Sequence, residues 1–250
     1  MNYRIVIPAR YASTRLPGKA LRLCAGKPLL QRVYEQATKS SADDVVIATD
    51  DTRIEEAAGK FGARAVMTDT AHTSGSDRIS EAVQTLDWPK DCLLVNLQGD
   101  EPLMPPECLD QVASLLNERE NASVASLWWP VASKEEFLNP NAVKVVTDHT
   151  GLALYFSRAS IPGSQQDKPG GWQSACRHIG LYAYRAGVLA KLTNLPPGKL
   201  EQIEHLEQLR WLEAGHQIVL ARANHLVPAG VDTESDLAAA EALLESQVEE

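Results

Sequence analysis

Between residues 3 and 119, short apolar runs alternate with stretches of helical periodicity, and this alternation leaves the chain few folds to choose from. Residues 5–9, 45–48, 65–67 and 93–97 read as buried strands, and 29–37, 53–61, 77–86 and 107–119 as the helices that follow them. Strand, helix, strand, helix at this spacing predicts a mostly parallel sheet with helices on both faces. Ligands of such sheets bind at the carboxyl ends of the strands. Here those ends carry Pro8-Ala9-Arg10, Thr49-Asp50 and Gln98-Gly99-Asp100, all polar enough to line a site.

The second half is less regular. Residues 143–146 and 153–156 read as a hairpin turning through 148–151, and 162–171 as a loop of Gly, Pro and polar residues. Residues 178–184 alternate like a strand, and 218–223 form another. The stretch 200–212 reads as one amphipathic helix with Leu200, Ile203, Leu206, Leu209 and Leu212 on one side. Thr233 and Asp236 stand as a capping box for a last helix. With no repeat and no long linker, residues 1–250 form a single α/β domain on a Rossmann-like sheet, with an inserted subdomain at about 130–200.

Composition closes off several functional classes. A chain that is 44% hydrophobic and 23% charged is not disordered. No apolar run approaches the roughly 18 residues of a membrane span. Arg10 and Arg15 precede any adequate leader segment, so the expected location is the cytoplasm, without membrane insertion. Four scattered cysteines without a CxxC pair argue for reduced thiols rather than zinc. A pI near 5.2 argues against nucleic acid as a partner.

Against a net charge of -9, the first 34 residues carry seven basic side chains and no acidic one. Arg10, Arg15, Lys19, Arg22 and Lys27 follow the first strand in a loop that contains Gly18 and Gly26. A buried strand delivering a basic, Gly-containing loop suits a polyphosphate. The loop has neither GxxxxGK[ST] nor GxGxxG, which excludes a P-loop and a dinucleotide fingerprint. Cations crowded together without local acidic partners point to an anionic ligand.

Other positions are more ambiguous on pattern alone. In His72-Thr73-Ser74-Gly75-Ser76-Asp77-Arg78, the hydroxyl residues suit a helix cap, but Arg78 opposes the helix dipole and calls for an anionic or carbonyl partner. Asp100 and Asp232 each follow an apolar run beside Gly; phosphate-bound Mg2+ commonly takes only one or two carboxylates. Asp232 reads either as such a ligand or as the cap of the last helix. Arg158, His178 and Tyr182 on candidate strands, and Glu204, Glu207 and Gln208 on a helix face, carry no chemistry by spacing alone.

Taken together, the motifs resemble a known family. IPARYASTRLPGK at 7–19, HTSGSDR at 72–78, NLQGDEP at 96–102, NPNAVKVV at 139–146 and ALYFSRASIP at 153–162 follow its pattern, as do RHIGLYAYR at 177–185, LEQIEHLEQLRWLEAG at 200–215 and GVDTESDL at 230–237. Over essentially the whole chain this resembles the 3-deoxy-manno-octulosonate cytidylyltransferases, or CMP-Kdo synthetases. Ala20 stands where that family commonly has Pro, and Ser76 where it commonly has Thr.

The resemblance implies a nucleotide-diphospho-sugar transferase-like fold and the reaction of CTP with the sugar acid Kdo to CMP-Kdo and diphosphate, for lipopolysaccharide synthesis. It implies that Arg10, Arg15 and Lys19 meet the triphosphate, with Arg15 and Lys19 on the departing pyrophosphate. Pro8 and Ala9 would lie near the cytosine, and Ser74, Gly75 and Arg78 would clamp the nucleotide. Asp100 and Asp232 become Mg2+ ligands, and Gln98, Arg158, His178, Tyr182, Glu207 and Gln208 the sugar pocket. It also implies a homodimer, with the smaller subdomain contributing to the interface. Two alternatives accompany it: the same chemistry on 8-amino-3,8-dideoxy-Kdo, and a regulator that binds CTP without turnover.

Overall fold

The structure, a computed structural model, describes residues 1–13, 15–163 and 171–246. Strand β1 (Tyr3–Ala9) leads through a 3-10 turn (Lys19–Leu21) to the small hairpin β2 (Leu23–Cys24) and β3 (Lys27–Pro28) and then helix α1 (Leu29–Ala37). The alternation continues with β4 (Asp44–Thr49), α2 (Thr52–Lys60), β5 (Arg64–Met67), α3 (Gly75–Thr85), β6 (Leu93–Asn96) and α4 (Pro106–Glu118). Next come β7 (Val124–Pro130), α5 (Lys134–Leu138), β8 (Lys144–Thr147), β9 (Ala153–Ser157), β10 (Cys176–Arg185) and α6 (Ala186–Thr193). The chain closes with α7 (Lys199–Glu204), α8 (Gln208–Glu213), β11 (Ile218–Arg222) and α9 (Glu234–Ser246).

Among the described residues the main sheet has nine strands in the order β11-β7-β10-β6-β1-β4-β5, with β8 and β9 branching from β10. β1 pairs parallel with β4 and with β6, β4 with β5, and β11 with β7. β10 runs antiparallel to both β6 and β7. The fold is thus the expected α/β sheet, with one antiparallel strand at its centre. Alternate residues of β1 enter different cores: Ile5 and Ile7 pack with Leu30, Val33, Leu109 and Val112, while Val6 packs with Ile79 and Val83. Burial on both faces explains the uninterrupted apolar run of this strand. Each fully buried Ile, Leu or Val there contributes about 1.5–3 kcal/mol. Within 130–200, β10 belongs to the main sheet, and the β8–β9 hairpin with α5 lies off its path.

One expected element is broken in two. The single helix over 200–212 is α7 and α8, separated by His205 at φ 52. The carbonyls that would continue the helix are taken by Arg158, whose Nε donates to Glu204 O and whose Nη2 donates to His205 O. The Glu204 carboxylate in turn accepts from Ser157 Oγ and from the Arg158 amide, tying the turn to β9. Leu206 and Leu209 are buried, but Ile203 is left exposed, so the apolar stripe was not one continuous face. Of the loop expected at 162–171, residues 164–170 lie outside the described residues.

Candidate functional site

β1 and β6 are parallel neighbours in the sheet, and their carboxyl ends frame a cleft of about 360 Å³. Pro8 and Ala9 supply one edge and Gln98, Gly99 and Asp100 the other. These edges touch closely: a Cβ on Gly99 would stand 2.9 Å from the Pro8 carbonyl oxygen, so only glycine lets the two strand ends meet. Gln98 Nε2 donates to Asn96 Oδ1, and Asn96 Nδ2 donates to Tyr184 Oη, fixing the Gln98 amide at the cleft.

The basic loop leaves β1 and folds over this cleft. Gly18 turns it at φ 66, where an added Cβ would stand 3.2 Å from the Tyr11 ring. Leu16 is fully buried in a small core with Val231, Leu237 and Leu244, which fastens the loop to the start of α9. The same contact brings Asp232 under the loop, and the Val231 amide donates to the Asp100 carbonyl at 2.8 Å. Lys19 Nζ then lies 2.6 Å from Asp100 Oδ2 and 3.0 Å from Asp232 Oδ1, while Arg15 reaches Asp232 at 3.0 Å. Burial opposes the Lys19 charge, but Asp100 and Asp232 outweigh it and raise the pKa of the ammonium. Much of the basic stretch therefore has acidic partners distant in sequence. Arg22 pairs with Glu234, whereas Lys27 finds a local partner in Glu35.

Asp232 is not the helix cap. Asp236 Oδ2 accepts from the Asp232 amide, the Thr233 amide and Thr233 Oγ1, and the Asp236 amide donates back to Thr233 Oγ1. The expected capping box is therefore complete without the Asp232 carboxylate, which is left for the cations.

On the opposite wall, Ser74 caps α3 in a capping box with Asp77, and its neighbour Gly75 packs against the Pro8 ring. Arg78 is buried; Nη2 donates to Asp50 Oδ2 at 2.7 Å, and Nη1 donates to Thr68 Oγ1. Asp50 follows β4, so the Arg placed against its helix dipole finds its anion at the neighbouring strand end. Arg10 lines the cleft as an exposed side chain.

A second, larger cleft of about 850 Å³ opens beside the first, and Arg15, Asp100 and Asp232 line both. His178, Tyr182 and Gln208 line it as well. His178 is buried, and burial together with Arg177 pushes its pKa down to about 3, so the ring is neutral. Burial raises Tyr182 well above its ordinary value and keeps the phenol protonated. The ring of Tyr182 meets Trp211 edge-on at 5.6 Å, fixing its direction.

Three of the expected sugar-pocket residues are not in this cleft: Gln98 lines the smaller one, and Arg158 and Glu207 line neither. The Arg158 guanidinium donates to the carbonyls of Glu204, His205 and Pro140. The Glu207 carboxylate accepts from Ser76 Oγ at 2.9 Å, toward α3, and burial raises its pKa. Glu101 and Arg177 line the larger cleft although neither stood out in the sequence. Burial and the charges of Asp100 and Asp232 push Glu101 up to about 8. Arg177 pairs with Glu136 at 2.9 Å and donates to Val227 O. Their only sequence signals were adjacency to Asp100 and to His178.

The chemistry of the shared edge fits one divalent cation. Two carboxylates converge on a single point held by the Lys19 ammonium, and among the described residues no cluster of three or more Asp, Glu, His or Cys forms. Mg2+ seldom takes more than two protein carboxylates and completes its shell with phosphate and water. Among the described residues no helix is long and apolar enough to cross a membrane.

The chain is similar to known proteins over nearly its whole length. A family profile described as cytidylyltransferase matches residues 4–218. The 3-deoxy-manno-octulosonate cytidylyltransferase of Thioalkalivibrio sulfidiphilus is 50% identical over 248 residues, covering 98% of this chain and 99% of its own. That of Vibrio vulnificus is 51% identical over 241 residues, covering 95% and 96%. A solved structure of CMP:2-keto-3-deoxy-manno-octonic acid synthetase complexed with CTP superposes with a TM-score of 0.90 at 38% identity, covering 98% and 99%.

Proposed function

This chain belongs to the cytidylyltransferase family, and we propose that it couples CTP to the sugar acid Kdo, giving CMP-Kdo and diphosphate for lipopolysaccharide synthesis. The observation that carries this reading is the pair of clefts meeting at Asp100 and Asp232. One cleft offers cations and a helix start to a nucleoside triphosphate. The other offers a neutral imidazole, a phenol and an amide to a polyol.

The anomeric hydroxyl of the sugar attacks the α-phosphorus of CTP and gives up its proton to water; the new P–O bond forms as the bond to the β-phosphate oxygen breaks, and the pair leaves on diphosphate. The protein does no covalent work. It aligns two anions that repel each other and neutralises the charge that grows on the leaving group. In this reading Arg10, Arg15 and Lys19 hold the triphosphate, and Arg15 and Lys19 stabilise diphosphate as it departs. Ser74, Gly75 and Arg78, with Pro8, Ala9 and Gln98, bound the nucleoside. His178, Tyr182, Gln208 and Gln98 orient the sugar at the junction. Arg158 and Glu207, placed in the sugar site by the family pattern, act behind it by holding the α7–α8 turn and the start of α3. Asp100 and Asp232 would hold Mg2+, which when bound neutralises phosphate charge and lowers the pKa of the attacking hydroxyl.

The same reading has the enzyme work in the cytoplasm as a homodimer joined through the second half, where Leu138 and Leu154 are exposed. A solution mass measurement tests the dimer. The activity is tested by incubating the purified protein with CTP, Mg2+ and Kdo: diphosphate must appear only when all three are present.

A further inference from the structure

We propose that Ser126 is a positioning residue that locks His178 in the Nε2–H tautomer, so that Nδ1 is an obligate hydrogen-bond acceptor for a hydroxyl of the polyol in the larger cleft. The inference rests on the sugar-acid reading of that cleft. Its origin is an irregularity in the sheet. β10 pairs in register with β7 up to Ile179 opposite Leu127, then resumes with Tyr182 opposite Ser126. The two extra residues bulge, and bulges re-aim side chains beside sites.

The carbonyls of that bulge converge on Ser126. Ser126 Oγ lies 3.1 Å from Ile179 O and 2.8 Å from Leu181 O, and 2.9 Å from His178 Nε2. A carbonyl oxygen only accepts, and a serine hydroxyl has a single proton. That proton must face the two carbonyls; aimed at the imidazole, it would leave three oxygens in contact with no hydrogen between them. Ser126 Oγ therefore accepts from His178, and Nε2 carries the proton.

Burial keeps the ring neutral, so this is its only N–H and Nδ1 is bare. Among the described residues nothing hydrogen-bonds to Nδ1, and it is not one of the buried nitrogens left without a partner. It therefore opens onto the cleft that His178 lines. Ser126 itself is fully buried and cannot touch a substrate. Its effect passes through the histidine, which accepts from sugar hydroxyls and never competes with them as a donor at that atom.

The test is 15N NMR of the imidazoles in the full-length protein, with His178 assigned by its loss in His178→Gln. The expected result is a protonated Nε2 and a bare Nδ1 in the wild type, with the Nδ1 signal moving when Kdo is titrated in. Ser126→Ala leaves Nε2 without its acceptor and should shift the ring to the Nδ1–H tautomer by about ten to one, raising the KM for Kdo about tenfold with the KM for CTP within about twofold. A wild-type Nδ1–H tautomer overturns the proposal, and that reading does not depend on Ser126→Ala folding. So does an Nδ1 signal that ignores saturating Kdo in a protein that turns Kdo over. A protein that keeps the Nε2–H form but neither binds nor turns over Kdo overturns the function reading, and the acceptor role with it.

Discussion

Lys19 Nζ stands 2.6 Å from Asp100 Oδ2, and the same ammonium reaches Asp232. One cation thus occupies the point on which both candidate metal ligands converge. It neutralises them in the free protein and competes with any divalent ion that approaches. Removing the ammonium should therefore separate binding from turnover. Lys19→Met is expected to bind Mn2+ or Mg2+ more tightly without nucleotide, yet to turn over at least about a hundredfold more slowly, because leaving-group stabilisation is lost. Asp100→Asn and Asp232→Asn should lose at least about a hundredfold in turnover while CTP binding is largely kept. Calorimetry and diphosphate release measure the two halves; normal turnover in both carboxylate variants would show that the metal assignment is wrong.

Leu16 joins the basic loop to α9, and its effect should be mechanical. Leu16→Ala removes a fully buried side chain and is expected to cost about 2–5 kcal/mol in denaturant unfolding. It should also raise the KM for CTP, because Arg15 and Lys19 no longer have a fixed relation to Asp232. Unfolding and steady-state kinetics on one preparation test both effects; a destabilised variant with an unchanged KM would separate the small core from the site.

Two glycines of the nucleotide cleft should respond differently to one added methyl. At Gly99 the Cβ would meet a backbone oxygen at 2.9 Å, and at Gly75 it would meet the Pro8 ring at an ordinary 3.4 Å. Gly99→Ala must push β1 and β6 apart, at a cost of about 1–3 kcal/mol and a weaker hold on CTP. Gly75→Ala should leave the melting temperature nearly unchanged. Equal melting temperatures for the two variants would contradict the close approach of the strand ends.

His178 predicts an acid limit. Its pKa near 3 in the fold lies below the ordinary value of about 6.5, so the unfolded chain binds the extra proton first as pH falls. Stability from this residue is complete above about pH 6.5 and is lost toward pH 3, at up to about 1.4 kcal/mol per pH unit. Melting temperatures across that window should fall more steeply for the wild type than for His178→Gln. Parallel curves would mean that the imidazole titrates in the fold as it does in the unfolded chain.

Much of this was legible beforehand, for identifiable reasons. β1, β4 and β6 announced themselves because they are buried on both faces, and α1 by its periodicity. The cations around Lys19 were visible as charge without local partners. That Asp100 and Asp232 pair with them directly was not, because Asp100 comes from the end of β6 and Asp232 is brought under the loop by the Leu16 core. β7 escaped notice because a short apolar run without turn signals reads equally as helix or strand, and with it went Ser126. The division of α7 from α8 was hidden because Arg158, distant in sequence, takes the carbonyls that would have continued the helix. The family pattern put Arg158 and Glu207 among the sugar ligands, but it could not show that their polar atoms face other parts of the protein.

The central claim is that the α-phosphate of CTP meets a sugar acid where the two clefts join. Transfer of label from [α-32P]CTP, with Kdo and 8-amino-3,8-dideoxy-Kdo supplied in competition, measures it most directly. The account predicts label in CMP-Kdo, equal in amount to the diphosphate released, with the larger kcat/KM for Kdo. Diphosphate without labelled sugar, or a clear preference for the amino sugar, would contradict it.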